Sequence, residues 1–339
     1  MKAWLNMETK LQTESILLDP ALRLRPAQWS DAVAVTGLIR DVLTADGDEV
    51  SIMTQEELET EWKSEGFTLE TDAWVAITAD GRVVGYEEFV SRHAHAYFNA
   101  DGYVHPDFRG RGIGAAMLRA LDERARREMQ LADPDARVYI RAGTNAHDQN
   151  VRGMFEGEGY QIIRYHWMME IDLAEAPQVK TFPDGIELMP FDVDAHAYLL
   201  FQAQEEAFED HWGHTPGNFN NWQMRKIRRE DFDPSLWHVA WDDDQIAGFS
   251  QTRVRNGIGW VGALGVRRPW RKRGLAEALL LHSFNEFYTR GTTRVGLAVD
   301  ASNPTGATRL YQKVGMKVDV EDIIVEKELR PGREFEMQE

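Results

Sequence analysis

Cysteine is absent from all 339 residues, which excludes disulfides, thiolate metal sites and a cysteine nucleophile together. Basic residues are few beside acidic ones: 38 Lys and Arg against 56 Asp and Glu leave a net charge of -18. So acidic a chain lacks the basic face that phosphate backbones require, and nucleic acid is not expected as a partner. The acidity suits a cationic amine substrate and equally serves solubility. Long apolar runs are also missing, so no membrane span is expected. The N-terminal MKAWLNMETKLQTESILL has neither a continuous apolar core nor a small-residue cleavage site, so it does not read as a signal peptide, and a cytoplasmic location is expected. What is present is ordinary globular composition, with eleven Trp arguing against disorder. The length predicts two domains.

An internal repeat carries that division. Val104-His-Pro-Asp-Phe-Arg-Gly-Arg-Gly-Ile-Gly lies over Val266-Arg-Arg-Pro-Trp-Arg-Lys-Arg-Gly-Leu-Ala, an offset of 162 residues. Trp74 to Thr78 and Arg82 to Val90 read as a hairpin, as do Trp237 to Trp241 and Ile246 to Val254. Each is followed by an apolar strand, the glycine-bearing turn and an amphipathic helix, from Ile113 to about Glu128 and from Leu275 to about Thr289. Short strands at Arg137 to Ile140 and Arg294 to Val299 come next, then a helix near Asn150 or Pro304, then a final strand. This order predicts an α/β (α+β) fold in each half, a mixed sheet flanked by helices. The expected division is an extension over 1–20, a domain over 21–173, a linker over 174–184, a second domain over 185–329 and a tail over 330–339.

A helix N-terminus leaves backbone N–H groups unpaired and carries partial positive charge, so it attracts phosphate where no side chain blocks the approach. Gly112, Gly114, Gly274 and Ala276 are small enough, and Arg109, Arg111, Arg271, Lys272 and Arg273 add cationic donors. One such turn would be a weak signal; two, each after a meander and each opening an apolar helix, point to a phosphate-bearing ligand.

With those residues in view, both halves resemble the GNAT N-acetyltransferase superfamily, whose signature is Arg/Gln-x-x-Gly-x-Gly/Ala between the fourth strand and third helix, over roughly 21–172 and 185–328. The resemblance implies two domains with mostly antiparallel twisted sheets, a plan that tandem members of the superfamily share. It implies acetyl-CoA as acyl donor and no metal. The turn residues Arg109, Gly110, Arg111, Gly112, Ile113 and Gly114, and Arg271, Lys272, Arg273, Gly274, Leu275 and Ala276, would hold the pyrophosphate. Val104, and Leu264, Gly265 and Val266, would line the splayed strand that receives the pantetheine arm. Asn303 and Tyr311, ahead of Gly315-Met316, match the family's late Asn and Tyr, with the Asn one residue further off than usual. At the register of Tyr311 the first half has Phe155.

That difference predicts chemistry in the second half, because the leaving thiolate needs a proton donor and a phenol can supply one. A base must accept a proton from the incoming ammonium. Glu205 is a candidate, since Tyr198, Phe201, Glu205, Phe208 and Trp212 follow helical spacing and would place its carboxylate on an apolar face. Asp210, His211 and His214 are rivals for that role and candidate acceptor contacts; the two His lack an evident third metal ligand. The expected activity is transfer of an acetyl group to a primary amine of a small molecule by a monomer or homodimer. A peptide or protein amine, a non-catalytic acyl-CoA sensor, and a first domain active through a water or a carboxylate such as Glu87 or Glu88 stand as alternatives.

Overall fold

The computed structural model describes residues 16–19, 21–48, 51–214, 216–229, 231–303 and 305–334. Most of the expected N-terminal extension and the last five residues of the expected tail lie outside them. The described residues form two compact units, one from 16–164 with 322–334 and one from 165–321.

The first unit begins with β1 (Ile16–Asp19) and β2 (Leu22–Pro26), followed by helices α1 (Ala32–Asp46), α2 (Gln55–Trp62) and α3 (Leu69–Asp72). Then come β3 (Ala73–Thr78), β4 (Val83–Arg92), β5 (Tyr97–Val104), α4 (Ile113–Glu128), β6 (Val138–Asn145), α5 (Gln149–Gly157) and the start of β7 (Gln161–Asp172). Strands β1 to β5 pair antiparallel in order and β5 meets β6 in parallel, because α4 crosses over between them. Beyond β6 the sheet is closed by residues 322–330, which run antiparallel to it.

Helices cover both faces. Val35, Leu38, Ile39 and Val42, at helical spacing on α1, pack with Leu58 and Trp62 on one face. Ile113, Met117, Leu118 and Leu121 of α4 cover the other. Gly85 sits under α4, where a Cβ would lie 2.8 Å from Ile113 and 3.2 Å from Met117. The glycine therefore sets how closely helix and sheet approach.

The second unit repeats the plan with β8 (Ile186–Met189), α6 (Val193–Phe208), α7 (Phe219–Lys226), β9 (His238–Asp242), β10 (Gln245–Arg255), β11 (Ile258–Val266), α8 (Leu275–Thr289), β12 (Arg294–Asp300), α9 (Ala307–Lys313) and the start of β13 (Lys317–Arg330). Strands β8 to β11 are antiparallel and β11 and β12 are parallel. The edge beyond β12 is filled by residues 166–172 of β7. The expected hairpins and crossover helices are present; the last helix starts at Ala307, three residues after Pro304, behind Gly306 in the left-handed region.

The stretch expected as a linker, 174–184, lies against α8: Lys180 pairs with Glu277 at 2.6 Å and Phe182 stacks on His282. The described part of the tail adds a short bridge, Arg333 bonding Asp135 and Arg137 through backbone. Among the described residues no helix is long and apolar enough to cross a membrane.

Candidate functional site

Each crossover helix is opened by the same backbone path. A short 3-10 turn, Pro106–Phe108 or Arg268–Trp270, is followed by positive φ at Gly110 and Gly112, and at Lys272 and Gly274. Gly112 and Gly274 are the N-caps of α4 and α8, and neither helix has a side-chain cap. The first N–H groups therefore point outward without an acceptor, which is the geometry of an anion cradle. Lys272 holds φ at 63° where its counterpart is glycine at 76°, a conformation costing about 1 kcal/mol for a residue with a Cβ. A Cβ at Gly114 would lie 2.8 Å from the Met154 sulfur, so α5 closes on that position.

The cations around the turn divide their roles. Arg109 pairs with Asp46 at the end of α1, and Arg271 donates to the carbonyls of Ala207 and Val266 and lies 3.5 Å from Asp210, just beyond α6. In both units the first arginine of the signature thus ties the turn to the first long helix. Arg273 donates to the Asp184 carbonyl and Arg111 lies over the Phe108 ring. Lys272 is exposed beside the N-terminus of α8.

The strand before each turn separates from its parallel neighbour. β5 pairs with β6 only through Tyr97 to Asn99, and β11 with β12 only at Gly259 and Trp260. From Val261 to Val266, and from Ala100 to Val104, the edge facing the gap has no strand partner, so its backbone groups are open to a ligand. Gly262 is an extra residue in β11: Gln251 faces Ala263 and Thr252 faces Val261. Such a bulge re-aims the strand. The β4–β5 ladder has no such break.

Tyr311 stands on α9, buried in the core cluster that also holds Leu280 and Phe284. Burial pushes its phenol up to about 12, and no described group hydrogen-bonds its hydroxyl. Phe155 occupies the matching place on α5, its ring edge-on to Tyr160. Asn303 accepts from the Thr305 N–H at 2.9 Å and so shapes its own loop.

Glu205, the candidate base expected on an apolar helix face, accepts the Gly217 N–H at 2.6 Å and lies 3.8 Å from His214. It anchors the loop before α7. The stripe it was read from is broken, because α6 stops at Phe208 and Tyr198 is 54% exposed. Asp210 is bound to Arg268 at 2.7 Å, which holds its carboxyl below the ordinary range, so it belongs to the turn. His211 packs against Phe208; burial, and then the nearby His214 and Arg271, hold it below the usual histidine range.

Two clusters escaped the sequence reading. In the first unit, Tyr86 donates to Glu88 at 2.7 Å and Tyr103 to Asp101 at 3.0 Å, on adjoining strands. Burial and the Asp101 charge push Glu88 up to about 8, and burial also raises Asp101. Glu87 faces the other side of β4, fully enclosed and raised by burial. The acidic pair Glu87-Glu88 was visible; its opposition to Asp101 is a matter of register. In the second unit, Lys226, Arg229 and Arg253 gather around Gln251 and Asp231. The signal for it was the basic stretch Arg225-Lys226-Ile227-Arg228-Arg229, unusual in so acidic a chain.

Comparison with known proteins accords with this geometry. The profile of the acetyltransferase (GNAT) family matches residues 198–316, and that of an acetyltransferase (GNAT) domain matches 70–162. A mycothiol acetyltransferase from a Mycobacterium species is 30% identical over 257 residues, 73% of this chain and 81% of that protein. One from Catenulispora acidiphila is 29% identical over 261 residues, 73% of this chain and 79% of that protein. A solved GCN5-related N-acetyltransferase from Sphaerobacter thermophilus is 34% identical with a TM-score of 0.79, covering 95% of this chain and 100% of that one. A tandem GNAT protein from the clavulanic acid biosynthesis pathway, 17% identical, shares the fold with a TM-score of 0.69 over 92% of this chain and 100% of that one.

Proposed function

This chain belongs to the GNAT acetyltransferase family, of which it carries two domains, and from that premise we propose that it moves the acetyl group of acetyl-CoA directly to a primary amine of a small molecule, with the chemistry in the second unit. The observation that carries the assignment to that unit is Tyr311, a core-packed phenol with no hydrogen-bond partner among the described residues, where the first unit has Phe155. The unpaired N–H groups at the start of α8, with Lys272 beside them, hold the pyrophosphate, and the open edge of β11 from Val261 to Val266 receives the pantetheine amides. Backbone N–H groups near the Gly262 bulge orient the thioester carbonyl. Tyr311 presents its proton to the departing sulfur. The naming of several relatives as mycothiol acetyltransferases supports a small-molecule acceptor.

The test is acetyl-CoA titration together with thiol-release turnover in Gly274→Glu and Gly112→Glu. We expect Gly274→Glu to abolish turnover and Gly112→Glu to leave it nearly unchanged, each removing one bound acetyl-CoA. Equal loss of turnover in both variants overturns the division of labour.

A second reading is supported by the first unit's Glu88 and Asp101, protonatable carboxyls opposite each other on β4 and β5. Such a pair suits an ammonium group, and the first unit would then hold an amine of its own.

A further inference from the structure

The second unit holds a pocket whose side chains the transfer chemistry above does not use. It is lined by Lys226, Arg229, Asp231, Trp237, Gln251 and Arg253, with Gly262, the bulge residue of β11, at its edge. Gln251 is 3% exposed, yet neither its amide nitrogen nor its amide oxygen has a hydrogen-bond partner among the described residues. A buried amide left unmet at both ends is costly, and proteins keep one where a ligand or water completes it.

Cations line the pocket around that amide. Asp231 accepts from Arg229 at 2.7 and 3.0 Å and lies 3.4 Å from Arg253, so the only acid among the described lining residues is engaged. Lys226 has no acidic partner among the described residues; burial, and then Arg253, Arg229 and Arg225, push its ammonium down to about 8. Among the described lining residues three are cations and one is an acid, in a chain of net charge -18.

We infer that this pocket takes an oxyanion carried by the acceptor, a carboxylate or a phosphate, with Lys226 as counter-charge and the Gln251 amide nitrogen as donor. The inference rests on the second unit being the acetyltransferase, and it narrows the acceptor to an amine that also bears an acidic group. The same cations repel an ammonium, so the amine end lies away from them, toward the open edge of the strand that carries Gly262. Their field also eases loss of the amine's proton.

Two arms test this. In the first, succinate and inorganic phosphate, with succinamide as neutral control, are titrated calorimetrically into the full chain. The anion that matches the acceptor binds wild type, binds at least tenfold more weakly to Lys226→Met and to the near-isosteric Gln251→Glu, and is retained by Lys226→Arg; succinamide does not bind. Acetyl-CoA titration in the same variants stays unchanged and shows that they are folded. Failure of both anions to bind, or binding indifferent to Lys226, overturns the inference.

In the second arm, β-alanine is compared with β-alaninamide, and phosphoethanolamine with ethanolamine, by thiol release. The acidic member of one pair has at least tenfold higher kcat/KM, and Lys226→Met narrows that gap. The pair that responds separates carboxylate from phosphate. Acetylation of neutral amines with equal efficiency overturns the anion pocket and leaves the enzyme reading intact. Lys226-dependent anion binding without acetylation of any amine does the reverse.

Discussion

Replacing Tyr311 with phenylalanine deletes one oxygen from a side chain whose ring stays in the core of the second unit. Burial pushes the phenol up to about 12, so at neutral pH the proton is on the oxygen essentially always. A free thiol of the cysteine type has a pKa of about 8.5. Complete proton transfer from the resting phenol to such a thiolate would run uphill by about 3.5 pKa units, or about 5 kcal/mol. Tyr311 therefore acts chiefly as a hydrogen-bond donor to sulfur as charge develops there. A charge-assisted bond of that kind is worth about 1.5–3 kcal/mol, which lowers kcat by about 10- to 150-fold when it is lost.

The hydroxyl has no partner among the described residues, so its removal strands no donor or acceptor, and stability should change by less than about 0.5 kcal/mol. The assay is steady-state thiol release at saturating amine, with the KM for acetyl-CoA and the thermal midpoint measured alongside. We expect kcat to fall, KM to stay within about twofold and the midpoint to hold. An unchanged kcat refutes the reasoning, and a fall in kcat matched by a fall in midpoint assigns Tyr311 to packing alone.

Two further outcomes follow from local geometry. Lys272→Gly relieves the left-handed strain at φ 63° and, after the entropic cost of glycine, should stabilise the second unit by about 0.5 kcal/mol in urea unfolding while weakening acetyl-CoA binding; destabilisation would show that the strain is compensated elsewhere. Glu88 is held at about 8 by burial and Asp101, above its unfolded value, so it favours the folded state fully below the unfolded pKa and loses that contribution as pH rises through 8. Urea unfolding of the first unit should therefore show stability declining from pH 5 to 8, and Glu88→Gln should flatten the decline; a wild-type slope unaffected by that substitution would remove Glu88 as its source.

Much of each unit was legible along the chain because it is written locally. The hairpins follow from alternating residues and turn chemistry, α4 and α8 from apolar spacing, and the anion cradle from glycines at positions that need positive φ. The contrast between Phe155 and Tyr311 needed only the register of the repeat. What the tertiary structure alone decided is nonlocal. Residues 322–330 pair with β6 and 166–172 with β12, a choice of partner that two similar apolar strands do not encode in their own pattern. Arg109 and Arg271, alike in sequence to free phosphate ligands, are tied to Asp46 and to the end of α6 because folding brings those groups within reach. Glu205 meets Gly217, and Gln251 shares a pocket with Lys226, Arg229 and Arg253, for the same reason. Sequence periodicity assigns a side chain to a face, whereas its partner there depends on the path of a chain far away in number, which no local pattern records.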